Sequence, residues 1–560
     1  MFRPEAPADH MEQSSPRLDV LPPQTVSIRM KDGVRLDADI YRPARGGPYP
    51  VLLQRQAYGR RIACTICYAH PAWYASKGYV VVVQDIRGRG TSEGAFSAGE
   101  NEASDGAETI AWAAALEGST GDVGMYGFSY QGYNQLLAAL EAGPALKALA
   151  PAMAPWHARE TWAYENGAFR LAGALGWATQ IAAETARHRG DAEAYAELLT
   201  ESRALNVRGA VQTRPAYMEK HRALSHYHRW LVTPADDPYW ARISPAAHAE
   251  KIAAANLPML FVGGWYDTHL RSTWEAFHEL QRRGNENLHL TIGPWLHFPW
   301  ERKVGGQDFG PNAALNMDDV HIGFFDRFLK RKASDKSAKI RLFDMGEKQW
   351  RTFGALPQAS LRLFLSSSGR AAIDPTDGRL VLQQAASGID HMVNDPWRPA
   401  PSVGCAFGSP PGPVDRSSVD TRGDVITFTT AALDRKITLA GAVSASLLLT
   451  ADAPSFDVGC VLSRVATNGQ VIPLCDGYRS VRDREAGQAV QIPMRATCVT
   501  LLPGESLRLS ISAASFPAYP VNPGTGADPA RSLSVDARVV TLSIHLGGEH
   551  ASALTVTLVE

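Results

Sequence analysis

No stretch of this sequence stays apolar for long. Runs such as Tyr79–Val83 fall far short of the roughly 18 residues that mark a transmembrane helix, so no membrane span is expected. The N-terminal MFRPEAPADHMEQSSPRLDV has no apolar h-region, hence no visible secretory signal, and a cytoplasmic location is expected. An excess of charge is also missing. Lys and Arg number 56 against 57 Asp and Glu, a formal net charge of −1. A nucleic-acid partner would call for a strong basic excess, so none is expected. Cysteine is scarce, six in 560 residues, which excludes a disulfide scaffold. Cys64 and Cys67 make one C-x-x-C with no second pair, and H-E-x-x-H does not occur, so no metal and no cofactor are expected. The sequence has no fixed-period repeat and no low-complexity tract.

What is present suits a large globular chain. With 560 residues, 45% apolar and 20% charged, there is material for three or four domains. Residues 1–24 are Pro-rich and polar and read as a flexible lead-in. Residues 26–43 alternate around Asp32-Gly33 as a hairpin does. Residues 51–58 and 79–88 read as buried strands, 104–118 as a helix, and 122–143 as strand, sharp turn, helix. After another strand at 145–155 the alternation stops, and 156–245 reads as helical with no clear strand. It resumes with strands at 258–267 and 288–297 and helices at 271–283 and 317–331. A charged surface connection, 330–339, follows. From about 355 onward short alternating runs separated by Gly, Pro and Asp indicate a β-sandwich, of which a jelly roll is one form. The expected class is α/β: an α/β core at 25–155 and 246–354, an inserted helical cap at 156–245, and an all-β domain at 355–560.

The strongest chemical signal is Gly127-Phe128-Ser129-Tyr130-Gln131-Gly132. It follows an apolar strand and opens a helix, the setting in which a strained turn lifts a serine Oγ above a sheet. The N–H of the next residue, Tyr130, then points to where an oxyanion would form. Such a serine needs a base and an orienting acid, in the chain order Ser, Asp, His. Asp267 ends one strand and His297 ends the next, so both fall at the carboxyl edge of a parallel sheet. Ser129 and Asp267 are 138 residues apart, too many for one strand-to-strand unit, and the helical insertion accounts for the excess. The segment DIRGRGTSEG (85–94) lacks G-x-G-x-x-G and reads as a shaping turn. His221, His226 and His228 in the cap lack the spacing of a helical zinc site and read as surface or packing residues.

GFSYQG, AYGR (57–60), DIRGRGTSEG, GGWYD (263–267) and GPWLH (293–297) together resemble the cocaine-esterase/X-Pro dipeptidyl-peptidase hydrolases. FFDRFLK (324–330), RLFDMGEKQW (341–350), NDPWRPAPSVG (394–404), LCDGYRS (474–480) and SFPAYPVNPGTG (515–526) continue the likeness in collinear order. The resemblance implies an α/β-hydrolase core, a helical cap and a C-terminal jelly roll. It implies Ser129 as nucleophile, His297 as base and Asp267 as its orienter. It also implies an oxyanion hole made by the Tyr58 hydroxyl and the Tyr130 N–H, and an acyl pocket lined by Trp162 and Trp177. His269 departs from the pattern by standing where the resemblance calls for an aromatic, and CAFG (405–408) puts Phe407 on the third-domain loop expected over the site; both are expected substrate contacts.

The expected activity is therefore a cofactor-free serine hydrolase acting on small-molecule carboxylic esters through an acyl-enzyme. The alternative is an amide-bond or α-amino-acid ester hydrolase, or an Xaa-Pro dipeptidyl-peptidase-like enzyme. Amino-ester enzymes bind the substrate ammonium with clustered carboxylates; Glu165 is one candidate, and no second acid stands beside Asp267. A rival of another class makes the β-sandwich a carbohydrate-binding module on a degenerate scaffold. Reaction with a fluorophosphonate probe separates it from an enzyme. The expected partner is the ester itself, and a homodimer is left open.

Overall fold

Val80–Asp85, apolar but for its last two residues and buried throughout, has hydrogen-bonded partners on both sides, as its β-branched run requires. It belongs to a ten-stranded sheet in the computed structural model. The model describes residues 17–560 apart from 205–206, 208–210, 334–338, 385, 483–487, 549–550 and 560. The strands are β1 (Gln24–Arg29), β2 (Arg35–Tyr41), β3 (Tyr49–Gln56), β4 (Val80–Asp85), β5 (Ser119–Phe128), β6 (Leu146–Ala152), β7 (Met259–Gly264), β8 (Leu288–Gly293), β9 (Ile340–Asp344) and β10 (Gln349–Phe353). Their order is β1-β2-β4-β3-β5-β6-β7-β8-β9-β10. The seven from β4 to β9 run parallel, and β1, β2 and β10 are the antiparallel margins. The order reverses at β3, between β4 and β5, which opens a crevice at the carboxyl ends of the strands.

Helices α1 (Glu102–Ala114), α2 (Tyr130–Ala138), α4 (Leu270–Arg282) and α5 (Met317–Leu329) pack on this sheet. In α4, Leu270, Thr273, Phe277 and Leu280 recur at helical spacing and are buried, while Arg271, Glu275, His278 and Glu279 are only partly covered. Between β6 and β7 the chain leaves the sheet. Helix α3 (Leu171–Arg189) and the helix Ala192–Ala204 dominate this insertion, and shorter helices carry it on to Ala254. It has its own core, in which Leu171, Leu175 and Ala182 of α3 meet Leu198, Met218 and Tyr227.

The insertion also holds a two-stranded hairpin, Tyr164–Glu165 with Ala168–Phe169, where a purely helical stretch was expected. Its turn is Asn166-Gly167, both at positive φ, the commonest dipeptide of a two-residue hairpin. Strands of two residues are too short to leave a period, so only the turn dipeptide signalled them. The lead-in differs as well. Its first 16 residues, like 334–338 of the charged connection, lie outside the described residues. Leu18 and Leu21 donate backbone bonds to Ser76 and Arg42, and Asp19 accepts one from Ala44, so this part is tied to the core.

From Ser360 to Leu558 the described residues form an all-β fold, eleven strands in one continuous ladder whose strand pairs are antiparallel except where Arg379 lies opposite Thr429. In Ile437–Ala451, Val443, Ala445, Leu447 and Leu449 are buried and the residues between them are not, the alternation of a sheet with one face on a core.

Candidate active site

Ser129 stands between β5 and α2 with φ 60° and ψ −120°, a conformation that costs a residue with a Cβ of order 1–3 kcal/mol. Close packing enforces it. A Cβ on Gly127 would lie 2.5 Å from the Cβ of Gln131, and one on Gly132 would lie 2.9 Å from the carbonyl of Ala152 on β6. Glycine is needed at both places for α2 to rise directly from the strand end. The Ser129 N–H is held by Ala152, 2.8 Å away, and its carbonyl accepts from Gly132 and Tyr133 at 2.9 and 3.0 Å.

Asp267 follows β7 and His297 follows β8, adjacent strands of the sheet. His297 Nε2 lies 3.0 Å from Ser129 Oγ, and His297 Nδ1 lies 2.7 Å from Asp267 Oδ1. Asp267 is fully buried; His297 keeps 27% of its side chain exposed, with Phe128 against its ring at 4.7 Å. The three residues read from the sequence therefore form one hydrogen-bonded row.

Tyr58 lies just beyond β3. Its hydroxyl accepts a hydrogen bond from Trp177 Nε1 at 3.1 Å. Burial raises the Tyr58 phenol pKa; the Trp177 N–H, the Arg89 charge and the Ser129 hydroxyl pull it back. The loop carrying Tyr58 is pinned by Asp85, whose carboxylate accepts from the Arg60 N–H at 2.6 Å and pairs with the Arg60 guanidinium. Asp85 also accepts from Thr91 N at 3.2 Å, so DIRGRGTSEG is the turn that wraps this carboxylate. The Tyr130 N–H begins α2 beside Ser129. Its ring is buried, and its hydroxyl accepts from Gly99 N and donates to Glu102, both at 3.0 Å.

A cavity of about 360 Å³ opens over Ser129. Trp162, Trp177, His269 and Phe407, the four residues expected to touch substrate, all line it. Trp162 and Trp177 sit 4.8 Å apart, centroid to centroid. His269 is buried 5.3 Å from the His297 ring, and burial, then the charges of His297 and Arg170, hold its pKa well below the ordinary value. Phe407 arrives from the all-β domain, between the guanidiniums of Arg170 at 4.5 Å and Arg495 at 4.8 Å. Sequence reasoning missed Arg170 and the amide floor, where Gln131 donates to Gln56 at 2.7 Å and Gln56 to Gln54 at 3.0 Å. The alternation of β3, which puts Gln54 and Gln56 on one face, was the available signal for the floor. No carboxylate lines the cavity among the described residues.

Glu165 is committed elsewhere. Its Oε2 accepts from Arg495 at 2.6 Å, Tyr519 at 2.7 Å and Arg170 at 3.0 Å, all buried between the cap and the all-β domain. Burial raises its pKa, but Arg495 and Arg170 outweigh that and bring it down to about 2. His221 and His228 face Glu197 and Glu219 at 3.0 and 2.9 Å, while the His226 ring packs between Trp177 and Trp230. Cys64 and Cys67 are free thiols, raised by burial to about 11 and about 12. No described helix is long and apolar enough to cross a membrane.

Against known proteins, residues 32–299 match the family model of the X-Pro dipeptidyl-peptidase (S15 family), and 332–555 match that of the X-Pro dipeptidyl-peptidase C-terminal non-catalytic domain. The chain is 31% identical to the cocaine esterase of Rhodococcus sp. (strain MB1 Bresler), over 96% of this chain and 98% of that one. It is 23% identical to a putative serine esterase of Mycobacterium tuberculosis, over 95% of each. Among solved structures, an aminopeptidase from a marine sediment archaeon (Thaumarchaeota archaeon) superposes with TM-score 0.82 at 20% identity, covering 100% of this chain and 99% of that one. An α-amino acid ester hydrolase superposes with TM-score 0.79 at 21% identity, covering 99% and 100%.

Proposed function

Because this chain belongs to the cocaine-esterase/X-Pro dipeptidyl-peptidase family of serine hydrolases, we propose that it cleaves small-molecule carboxylic esters through an acyl-enzyme on Ser129. The observation that carries the reading is the row Ser129–His297–Asp267, with contacts of 3.0 and 2.7 Å and a serine at φ 60°. Ser129 Oγ attacks the ester carbonyl while His297 Nε2 takes its proton. Asp267, holding Nδ1–H, fixes the tautomer and stabilises the imidazolium. The carbonyl oxygen turns to the Tyr58 hydroxyl and the Tyr130 N–H. Trp177 occupies one lone pair of the Tyr58 oxygen, which leaves the phenolic proton to point at the oxyanion. His297 then protonates the leaving alkoxide and activates the water that releases the acid.

An ester with a neutral acyl group suits the cavity better than an α-amino substrate. An ammonium there would find no carboxylate among the described lining residues, while the Arg170 guanidinium borders the same space. Glu165, the candidate counter-ion, is already shared by two arginines and a tyrosine. The test is kinetics on p-nitrophenyl esters, α-amino-acid esters and Xaa-Pro anilides. Simple esters should be turned over with the highest kcat/KM. Xaa-Pro anilides or amino esters outrunning them would overturn the reading in favour of the peptidase-like alternative.

A further inference from the structure

Among the described residues, Arg89 is a buried cation without a counter-ion. Its side chain is 2% exposed, and no carboxylate lies within salt-bridge distance among the described residues. Nη1 donates to Thr185 Oγ1 at 3.2 Å, while Nε and Nη2 have no acceptor among the described residues. The carboxylate with most influence on it, Glu184, is already gripped by Arg187 at 2.8 and 3.0 Å. The backbone fixes this placement. Gly88 and Gly90 on either side are at φ 68° and 57°, and a Cβ on them would strike Phe96 N at 2.3 Å and the Asp85 carboxylate at 1.9 Å. Burial lowers the Arg89 pKa only to about 10, so it is charged at neutral pH.

Burying an unpaired guanidinium is among the costlier things a fold can do, and it persists where charge is needed. The surroundings of Arg89 say where. Its guanidinium covers the Phe96 ring at 4.0 Å, and Phe96 packs on the Tyr130 ring at 5.6 Å. On its other side, Thr185 lies two turns along α3 from Trp177, the residue that holds the Tyr58 hydroxyl. Both expected oxyanion donors are thus framed by the elements that frame Arg89.

We propose that Arg89 is an electrostatic positioning residue, whose buried positive charge behind Tyr58 and Tyr130 strengthens the oxyanion hole. It touches neither the substrate nor the reacting atoms. It acts through Tyr58, by making its hydroxyl a better donor to the carbonyl oxygen in the transition state. The inference rests on the esterase reading above.

The experiment compares wild type, Arg89→Met, Arg89→Lys, Tyr58→Phe and the double variant Tyr58→Phe/Arg89→Met on a p-nitrophenyl ester, each with a thermal melt. Methionine keeps the contact with Phe96 and removes the charge. Arg89→Met should lower kcat by about tenfold with KM nearly unchanged, a smaller loss than for a direct donor. Its melting temperature should be equal to or above wild type, because an uncompensated charge has been removed. Arg89→Lys should restore most of kcat. In the Tyr58→Phe background, Arg89→Met should cost no more than about twofold, since the donor it assists is gone. A melting temperature that falls while kcat stays at the wild-type value would make Arg89 structural and overturn the proposal. So would the full tenfold loss appearing on top of Tyr58→Phe. If Ser129→Ala keeps its activity, the esterase reading itself fails, whatever Arg89 does.

Discussion

Removing one oxygen atom tests the oxyanion hole most directly. Tyr58→Phe keeps the ring and deletes the hydroxyl that stands between Trp177 Nε1 and Ser129. The cost divides into two parts. In the transition state the carbonyl oxygen loses one of two donors, typically about 2.7–4 kcal/mol, or roughly 10²–10³ in kcat. In the folded protein the Trp177 N–H loses its acceptor, about 1 kcal/mol when one partner of a half-buried bond is deleted. For a domain of this size that lowers the melting temperature by about 2–4 °C. The ground state hardly uses the donor, so KM should move by less than about threefold. Steady-state kinetics on a p-nitrophenyl ester, beside a thermal melt, reads both parts. Trp177→Phe is the companion variant. It leaves the hydroxyl and frees its orientation, so its kcat should fall between those of wild type and Tyr58→Phe. A Tyr58→Phe enzyme with kcat within about threefold of wild type would refute the argument and assign the oxyanion to other donors.

Ser129→Ala should cost on the order of 10⁶ in kcat and abolish fluorophosphonate labelling while the melt is preserved; labelling that survives would move the nucleophile elsewhere. Glu165→Gln should destabilise by about 3–5 kcal/mol in urea unfolding, because it strands the Arg170 and Arg495 charges in the interior; a loss below about 1 kcal/mol would mean that the cluster is not closed to water. Burial lowers the folded pKa of His289 to about 4 and of His321 to about 3. The unfolded chain takes up these protons below about pH 6.5 and the native chain does not. Their stability contribution is therefore complete above about pH 6.5 and declines toward pH 4 and below, by about 1.4 kcal/mol per pH unit for each histidine. Urea midpoints that stay level between pH 7.5 and 5.5 would contradict this.

The sequence made some of this site readable and concealed the rest, for physical reasons. Ser129, Asp267 and His297 each follow a strand, and a parallel sheet collects its strand ends on one edge, so their meeting followed from local pattern. The all-β part was legible as a change to short alternating runs near 355, and its first strand begins at Ser360. What stayed hidden is pairing across long separations. Glu165 looked like a free acid in the cap, yet its partners Arg495 and Tyr519 lie 330 and 354 residues further on. No periodicity reports such a contact. The same holds for the Trp177 N–H on Tyr58, 119 residues apart; the ring was read as a wall and its nitrogen was overlooked. Arg89, inside a motif read only as a turn, gave no hint that it would be buried without a counter-ion.

Phe407 reaches the cavity from the third domain, and the arginines that hold it come one from each side of the domain boundary. The cavity wall is in that sense a joint product of the two domains. Grafting the all-β domain of a relative onto this hydrolase core would leave the Ser129 row intact and replace a wall of the pocket in one step. A graft lacking the equivalents of Arg495 and Tyr519 would also leave Glu165 with only Arg170. The side chains that shape this wall are thus tied to those that join the two domains, Arg495 reaching both Phe407 and Glu165.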